Sequence, residues 1–523
     1  MTDATALARA LVDLWVGWGV EHVVLCPGSR SAPLAFASYD AAKAGRVRLH
    51  TRIDERTAGF LALGIAKTSG RPAVVFCTSG TAAANLHPAV LEAAHAGVPL
   101  VVVTADRPAS LRGTGANQTT DQVGLYGDAA PCFDISGPVP VPRPLAGPLH
   151  LNVQFVEPLT PSDQAPQLEW PSQPVEADHV PSEGVLSIGP RTVVVAGDDA
   201  GPPARILAKD AHWPLFAEPS SGSRTGNHPI RSYRLLLESE LGQAIERVIV
   251  FGHPTLSRPV SRLLSRPDVE VISVRPRGRW TERPHPVVAT YDQVSVSGRD
   301  ESDWFSLWRA LDRAVCAELD GLVGQELGPH AVAREVSVSV PPGGMLYLGA
   351  SNPIRDLDLM AHSPTPGQRR KVLANRGLAG IDGTLSSAIG AALTRRGRNL
   401  LLLGDVTFMH DLTGLVIGPH EERPDLTIVV VNDDGGSIFA SLEQGSPQFA
   451  ESFDRVFATP HGVDFSALCA ALKVPHWRVT SREELRHALA SPHGGIEVVE
   501  VVVRRDNRRE VDEAIRELGK SHK

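Results

Sequence analysis

Two aspartates near the C-terminal end of the chain, Asp405 and Asp433, each follow a short apolar run. These runs, residues 400–403 and 426–431, are leucine-rich or β-branched, which predicts strands buried on both faces of a parallel sheet. Because ligands of open α/β sheets sit beyond the carboxyl ends of the strands, we expect both acids to face one crevice. Two carboxylates and the backbone carbonyl of Gly435 would suit an octahedral Mg²⁺ that also holds a diphosphate.

The backbone beside these acids is a candidate for binding phosphate. Gly435 and Gly436 let the main chain approach a ligand closely. We expect the amides around Val406, Thr407, Gly436 and Ser437 to point at phosphate oxygens. The alternative interpretation is a pair of ordinary strand ends that carry surface acids.

The elements around this stretch alternate in type along the whole chain. Residues 1–160 alternate strand and helix patterns, residues 191–325 hold a second such unit, and residues 330–523 hold a third. Residues 161–190 are rich in proline and acids without periodicity, which predicts a linker. The predicted fold class is therefore α/β, with three doubly wound parallel-sheet domains. The middle unit shows no phosphate-binding motif and is interpreted as a structural spacer.

The composition excludes several function classes. The 523 residues carry a formal net charge of −8 without a basic run, so no nucleic-acid partner is expected. The five cysteines are scattered and lack CxxC spacing, which indicates neither a disulfide framework nor a zinc site. No apolar run reaches the roughly 18 residues of a membrane span, and the N-terminus does not read as a signal peptide. We expect a cytoplasmic protein.

Several segments together resemble the thiamine-diphosphate-dependent enzymes. The stretch from Asp405 to Asp433 is similar to the family's Gly-Asp-Gly and Asn-Asn motif, although Val406 replaces the second glycine and Asp433 replaces the second asparagine. RIDERTAGFLALGIAK places Glu55 in the first turn of a helix, where this family carries a glutamate. PGSRSAPLAFA, TADRPASLRGTGANQ and NRGLAGIDGTLSSAIGAAL narrow the resemblance to the carboligases of menaquinone biosynthesis.

The resemblance implies thiamine diphosphate as the cofactor, with Mg²⁺ or Mn²⁺ bound by Asp405, Asp433 and Gly435. It implies that Glu55 is catalytic, through a hydrogen bond from its carboxylate to N1′ of the aminopyrimidine, and that Gln118 helps to position the reacting groups. Residues 1–160 would bind the pyrimidine and residues 330–523 the diphosphate. The implied cofactor-binding residues are Glu55, Ile381, Val406, Thr407, Gly435, Gly436, Ser437 and Ile438.

The resemblance also implies the reaction, which is decarboxylation of 2-oxoglutarate and addition of the succinyl carbanion to isochorismate. Each of these substrates carries two carboxylates, which bidentate arginines recognise well, so the loop arginines are expected to form a cationic pocket. The apolar Ile438 and Phe439 would keep water from the carbanion. The implied substrate-binding residues are Ser29, Arg30, Arg107, Asn117, Gln118, Ser351, Arg355, Arg376 and Phe439.

Two alternatives to this function stay open. One is another thiamine-dependent 2-oxo-acid decarboxylase or carboligase, which would share Glu55 and the metal loop but need fewer arginines. The other is a non-catalytic descendant of such an enzyme. In the family the cofactor lies between two subunits, so a homodimer, alone or as a pair of dimers, is implied.

One segment departs from the family pattern. Prolines at positions 138, 140, 142 and 144 forbid a helix in the stretch where family members carry one. We therefore expect the first domain to lack its last helix, and its sheet to need another cover.

Overall fold

Three parallel β-sheets form the framework of the chain in a computed structural model, which describes residues 2–171, 180–323 and 326–521. The paired strands within each sheet run parallel, and most are valine- or leucine-rich runs buried on both faces. Helices cover both faces of the sheets, so the predicted α/β class with doubly wound parallel sheets is confirmed. No helix in the described ranges is long and apolar enough to cross a bilayer.

The N-terminal sheet has six strands in the order β2-β1-β3-β4-β6-β5. The order reverses between β1 and β3, which is where an open sheet forms a crevice at its carboxyl edge. Its elements are α1 (Ala4–Gly17), β1 (His22–Leu25), α2 (Ala32–Lys43), β2 (Arg48–Thr51), α3 (Glu55–Ser69), β3 (Ala73–Cys77), α4 (Thr81–Asn85), α5 (His87–Ala96), β4 (Leu100–Asp106), β5 (Cys132–Ile135) and β6 (Leu149–Gln154).

The middle sheet has five strands in the order β12-β11-β10-β8-β9, beside a two-stranded parallel ribbon of β7 and β13. Strand β7 falls inside the stretch 161–190 that was predicted to be a linker. Residues 172–179 of that linker and residues 324–325 of the predicted central unit lie outside the described residues. The elements are β7 (Glu183–Leu186), β8 (Thr192–Ala196), α6 (Gly201–Ala211), β9 (Leu215–Ala217), α7 (Tyr233–Leu236), α8 (Glu240–Gln243), β10 (Arg247–Phe251), α9 (Arg258–Leu264), β11 (Glu270–Val274), β12 (Ala289–Tyr291), β13 (Gln293–Val296) and α10 (Trp304–Leu322).

The C-terminal sheet repeats the strand order of the N-terminal one, as β15-β14-β16-β17-β19-β18. Its crevice therefore lies between the ends of β14 and β16. The elements are α11 (Pro329–Ser339), β14 (Met345–Leu348), α12 (Asn352–Met360), β15 (Lys371–Ala374), α13 (Thr384–Leu393), β16 (Asn399–Gly404), α14 (Asp405–His410), β17 (Leu426–Asn432), α15 (Ala450–Phe453), α16 (Phe465–Ala471), β18 (His476–Val479), α17 (Arg482–Ala490), β19 (Ile496–Val502) and α18 (Arg508–Lys520).

Helices α3 and α13, which occupy equivalent places in the two six-stranded units, pack directly on each other. Glycines make this close approach possible. A Cβ added at Gly64 would lie 2.0 Å from the carbonyl oxygen of Ser387, and one at Gly390 would lie 2.1 Å from that of Leu61. One hydrophobic cluster runs through this contact from the N-terminal sheet to the C-terminal sheet. The two sheets are thereby held at a fixed spacing.

The proline-rich stretch between β5 and β6 contains no helix, as the sequence predicts. Its buried Val141 packs instead into the cluster beneath α1, together with Ile135 and Leu149. One apolar side chain of the extended segment, with helix α1, thus covers the face that the missing helix would have covered.

Candidate active site

A cleft of about 170 Å³ opens at the carboxyl edge of the C-terminal sheet, at the crevice between β14 and β16. It brings together most of the residues predicted to hold the cofactor and metal. Its lining comprises Pro329, Ser351, Asn352, Pro353, Asp356, Ile381, Gly404, Asp405, Val406, Thr407, Val431, Asp433, Gly435, Gly436, Ser437, Ile438, Phe439, Phe457, Thr459 and Arg508.

The two predicted metal ligands share this cleft as an acid pair, with Asp405 buried and Asp433 half-buried. Asp405 is 2% exposed, and burial raises its pKa. Burial and the neighbouring Asp405 raise the pKa of Asp433 to about 7. The protein alone neutralises the negative charges of this pair only in part, and a divalent cation would favour the ionised form of both carboxylates. The described residues contain no group of three or more His, Cys, Asp or Glu side chains placed to hold a metal. Two carboxylates suit Mg²⁺, which usually keeps waters and phosphate oxygens as its other ligands.

The loop after β17 is folded tightly against residue 458. Gly435 has a φ of +137°, and a Cβ there would lie 2.1 Å from the carbonyl oxygen of Ala458. The Gly435 amide donates to Asp405 Oδ2 at 2.9 Å, and its carbonyl accepts from the Ser437 amide at 3.1 Å. Only glycine fits this position, which brings the Gly435 backbone to the acid pair.

Three of the amides that were expected to face a phosphate donate hydrogen bonds within the chain. The Val406 amide donates to the Asp405 carboxylate at 2.7 Å, and the Gly436 amide donates to Ala458 O at 2.7 Å. The Ser437 amide donates to Gly435 O. In this conformation the three amides bind acceptors of the chain itself, and their contact with a phosphate stays a prediction. All three residues still line the cleft.

His461 is a site residue that the sequence did not reveal. Its Nε2 lies 3.2 Å from Asp405 Oδ2, and its Nδ1 accepts the Val463 amide at 3.0 Å. A neutral ring whose Nδ1 accepts must carry its proton on Nε2, so His461 donates to Asp405. Asp434 holds the loop by accepting the His461 amide at 3.0 Å. A single histidine in an irregular loop carries no sequence signal for such a role.

A buried ion pair forms another part of the cleft that the sequence did not indicate. Arg508, at the start of α18, donates to both oxygens of Asp356 at 2.7 and 2.9 Å. Both side chains are at most 5% exposed, and the Arg508 charge acts on Asp433 as well. The guanidinium thus offsets part of the negative charge of the acid pair.

The predicted substrate arginines form two pairs within one chain rather than a single pocket. At the N-terminal sheet, Arg107 donates to Ser79 Oγ at 3.1 Å and to Gln118 O at 3.0 Å. The pKa of the neighbouring Arg30 is lowered mainly by burial and, to a smaller extent, by the positive charge of Arg107. In the C-terminal half, the pKa of Arg355 is lowered mainly by burial and, to a smaller extent, by the positive charge of Arg376. Like charges that act on each other in this way are found at functional sites, so each pair is a candidate anion site.

The remaining predicted substrate residues lie beside these pairs. Ser29 and Asn117 are exposed at the N-terminal sheet, and Gln118 has a φ of +57° with its Nε2 donating to Ser79 O at 2.9 Å. Ser351 also has a positive φ, of +70°, and its carbonyl accepts from Arg355 at 2.6 Å. The first pair follows β1 and β4 at the carboxyl edge of the N-terminal sheet. The second follows β14 and β15 at the carboxyl edge of the C-terminal sheet, outside the lining of the Asp405 cleft.

Glu55 is the first residue of α3, as predicted, and is half-buried. It does not line the cleft of Asp405 in the same chain. Its neighbours bind the last residue of α14 and the segment after it instead. Arg56 donates to His410 O at 2.8 Å, and Thr413 donates to Asp54 Oδ2 at 2.7 Å.

A larger cavity, of about 660 Å³, lies apart from the acid pair. Two of its cations are already paired, since Lys67 lies 3.4 Å from Asp198 and Arg277 binds both oxygens of Asp199. Its size alone assigns it no chemistry, and the small cleft at Asp405 is the stronger candidate site.

Comparison with known proteins agrees with this geometry. Residues 4–125 match the family described as thiamine pyrophosphate enzyme, N-terminal TPP binding domain. Residues 358–503 match the thiamine pyrophosphate enzyme, C-terminal TPP binding domain. These matches contain the Glu55 helix and the Asp405–Asp433 pair respectively, so thiamine diphosphate is supported as the cofactor.

Curated relatives extend along nearly the whole chain. Proteins named 2-succinyl-5-enolpyruvyl-6-hydroxy-3-cyclohexene-1-carboxylate synthase are 62% identical in Nocardioides sp., over 99% of this chain and 98% of the relative. Those of Kineococcus radiotolerans and Nocardia farcinica are 48% and 45% identical, covering 97% and 99% of both chains. The chain therefore belongs to the 2-succinyl-5-enolpyruvyl-6-hydroxy-3-cyclohexene-1-carboxylate synthase family of thiamine-diphosphate enzymes.

Proposed function

We propose that this enzyme decarboxylates 2-oxoglutarate and adds the succinyl carbanion to isochorismate, giving 2-succinyl-5-enolpyruvyl-6-hydroxy-3-cyclohexene-1-carboxylate and CO₂. The observation that carries this proposal is the 62% identity to a synthase of that product over 99% of the chain. The acid-lined cleft and the two pairs of arginines supply the groups that such a reaction needs.

When bound, thiamine diphosphate supplies the electron sink that decarboxylation of a 2-oxo acid requires. Asp405, Asp433 and the carbonyl of Gly435 would hold Mg²⁺ or Mn²⁺ against its diphosphate. Ile381 lines the same cleft and would offer the cofactor an apolar contact. The Glu55 carboxylate would hold a proton at N1′ of the aminopyrimidine, which sets the basicity of its amino group.

The arginines would bind the carboxylates of the two substrates. Arg376 is 5% exposed, and its Nε is buried without a hydrogen-bond partner among the described residues. A buried guanidinium with a vacant donor is costly unless an acceptor reaches it, and a substrate carboxylate provides one. Ser29, Asn117 and Ser351 would complete these anion sites, and Gln118 would help to position the reacting groups.

An apolar wall closes the cleft beside the metal loop. The ring of Phe439 lies 5.6 Å from that of Phe457, and Ile438 lines the cleft next to it. Such a wall excludes the water that would protonate a carbanion and end the reaction at an aldehyde. It therefore favours addition to a second substrate.

We infer a homodimer, alone or as a pair of dimers, as the active form. Glu55 stands outside the Asp405 cleft of its own chain, so a second copy would have to complete each site. Ile53, two residues before Glu55, is 70% exposed. An apolar side chain exposed beside a catalytic group is suited to cover by a partner surface.

The test is a spectroscopic assay for loss of isochorismate on adding 2-oxoglutarate, thiamine diphosphate and Mg²⁺ to the purified chain. We expect isochorismate to disappear only when all components are present. Turnover of pyruvate alone would instead favour another 2-oxo-acid decarboxylase. A calorimetric titration with cofactor and Mg²⁺ that shows no heat would favour a non-catalytic protein.

Arg376→Ala is expected to lower kcat/KM for 2-oxoglutarate or isochorismate about 10- to 100-fold, because a charge-assisted hydrogen bond to substrate is lost. Cofactor affinity, measured by calorimetry, should change little. The exposed Arg396→Ala is the matched control and should behave as the wild type. An equal loss of cofactor affinity would assign Arg376 to the cofactor rather than to substrate.

A further inference from the structure

The loop that carries Arg376 is held from the N-terminal third of the chain. Glu92, on α5, accepts the amides of Gly377 and Leu378 at 2.8 and 2.7 Å, one with each carboxylate oxygen. Its carboxylate thus fixes the two peptide units that directly follow Arg376. Amides that bind an ionised carboxylate make stronger and shorter bonds than neutral pairs do.

The burial of the Glu92 carboxylate costs free energy on folding. The residue is 4% exposed, and burial raises the pKa of its carboxyl group, while the Lys67 ammonium and the two amides act in the opposite direction. An apolar residue on this helix face would avoid the desolvation of a charge. The carboxylate is therefore better explained by what it holds than by packing.

The close approach of the loop to α5 depends on glycine at position 377. A Cβ there would lie 2.7 Å from the carbonyl oxygen of Glu92 and 2.9 Å from the amide nitrogen of Ala96. This steric fit is independent of the two hydrogen bonds. Both place the backbone after Arg376 against one turn of α5.

Other contacts hold the rest of the loop. Lys67 donates to Ala374 O at 2.5 Å, and Tyr347 donates to Asn375 Oδ1 at 2.6 Å. The Arg376 guanidinium itself donates to Thr255 Oγ1, in the middle third, at 2.8 Å. Every third of the chain thus contributes to the placement of this arginine, and Glu92 binds the first and second residues that follow it.

We propose that Glu92 is a positioning residue for the carboligation reaction, which acts by fixing the backbone of Gly377 and Leu378 so that Arg376 meets a substrate carboxylate. This inference rests on the proposed function of the enzyme. It makes a residue outside both crevices a determinant of substrate affinity.

Glu92→Gln is the informative variant because it keeps size and polarity. A glutamine has only one acceptor oxygen, and its NH₂ group would face the second backbone amide, donor against donor. The substitution removes one of the two hydrogen bonds to the loop amides and adds a repulsion between two N–H groups, and it leaves no cavity. Glu497→Gln, on β19, is the matched control, since Glu497 is also a buried hydrogen-bonded carboxylate but lies far from the loop in the fold.

Hydrogen exchange followed by mass spectrometry tests the clamp directly, with or without activity. In Glu92→Gln we expect exchange of the Gly377 and Leu378 amides to rise about 10-fold or more, as expected for lost bonds to a charged acceptor. The exchange of helix α14 and the affinity for thiamine diphosphate should stay as in the wild type. Unchanged exchange at 377–378 would overturn the proposal.

Steady-state kinetics test the consequence for Arg376. We expect Glu92→Gln to raise the KM of one substrate about 10-fold while kcat changes less than about 3-fold, and Glu497→Gln to leave both constants unchanged. In the Arg376→Ala background, Glu92→Gln should add less than about 2-fold, because both changes remove the same interaction. Independent, multiplying effects would show that Glu92 does not act through Arg376. A wild-type enzyme inactive on these substrates would refute the proposed function, while hydrogen exchange would still decide on the clamp.

Discussion

Glu55→Gln is expected to lower kcat by about 10²- to 10⁴-fold, the range typical of a lost proton-transfer group. The carboxylate of Glu55 has no hydrogen-bond partner among the described residues, and it stands half-buried at the first turn of α3. Replacement by an isosteric amide therefore removes no bond that the fold uses. The loss should appear in catalysis alone.

The measurement pairs turnover of isochorismate with the melting temperature of the variant. We expect a melting temperature within about 2 °C of the wild type, since surface or partly buried isosteric changes cost little stability. Glu21→Gln, an exposed glutamate of the same third, is the control and should keep full turnover. A Glu55→Gln enzyme that retains activity would rule out the proton-holding role.

Asp405→Ala is the second change with a large expected effect. We expect the apparent dissociation constants of Mg²⁺ and of thiamine diphosphate to rise about 100-fold or more, because a metal ligand is lost. The change also leaves the Gly435 amide and the His461 Nε2–H without their shared acceptor. The backbone around Gly435 and His461 should therefore become less rigid even in the absence of cofactor.

Calorimetric titration of the variant with Mg²⁺ and cofactor checks this result, and the melting temperature of the cofactor-free protein checks the loosening. Asp405→Asn separates the loss of metal binding from the loosening of the loop, since it retains an acceptor for the Gly435 amide but loses the negative charge. Asp425→Asn, at the opposite end of β17, is the control, and the variant should bind normally. Unchanged cofactor affinity in Asp405→Ala would show that the ligand assignment is wrong.

The sequence was informative where local pattern decides structure. A leucine run before Asp405 and a β-branched run before Asp433 predicted adjacent strand ends, and the fold places both acids in one cleft. Four alternate prolines predicted the absence of a helix before β6, because proline removes both a donor and the helical geometry. In each case the signal lies within a few residues of the feature.

The features that the sequence did not reveal depend on residues far apart in the chain. His461 reaches Asp405 across 56 positions, and Glu92 reaches Gly377 across 285. No periodicity links such partners. Strand β7 was missed for a different reason, since it is four residues long, half exposed and surrounded by proline-rich sequence. The division of the arginines into two pairs likewise depends on tertiary packing.

The repeated strand order of the two six-stranded sheets has a genetic consequence. Each chain carries one crevice with the Glu55 helix and one with the Asp405 cleft, and α3 and α13 lock the two together. In a two-fold assembly that shares its sites, two separately inactive mutant genes would complement each other. Random mixing of Glu55→Gln and Asp405→Ala chains would leave one intact site in each heterodimer, or about a quarter of wild-type activity. A mixture that stays inactive would place both groups in the same copy's site.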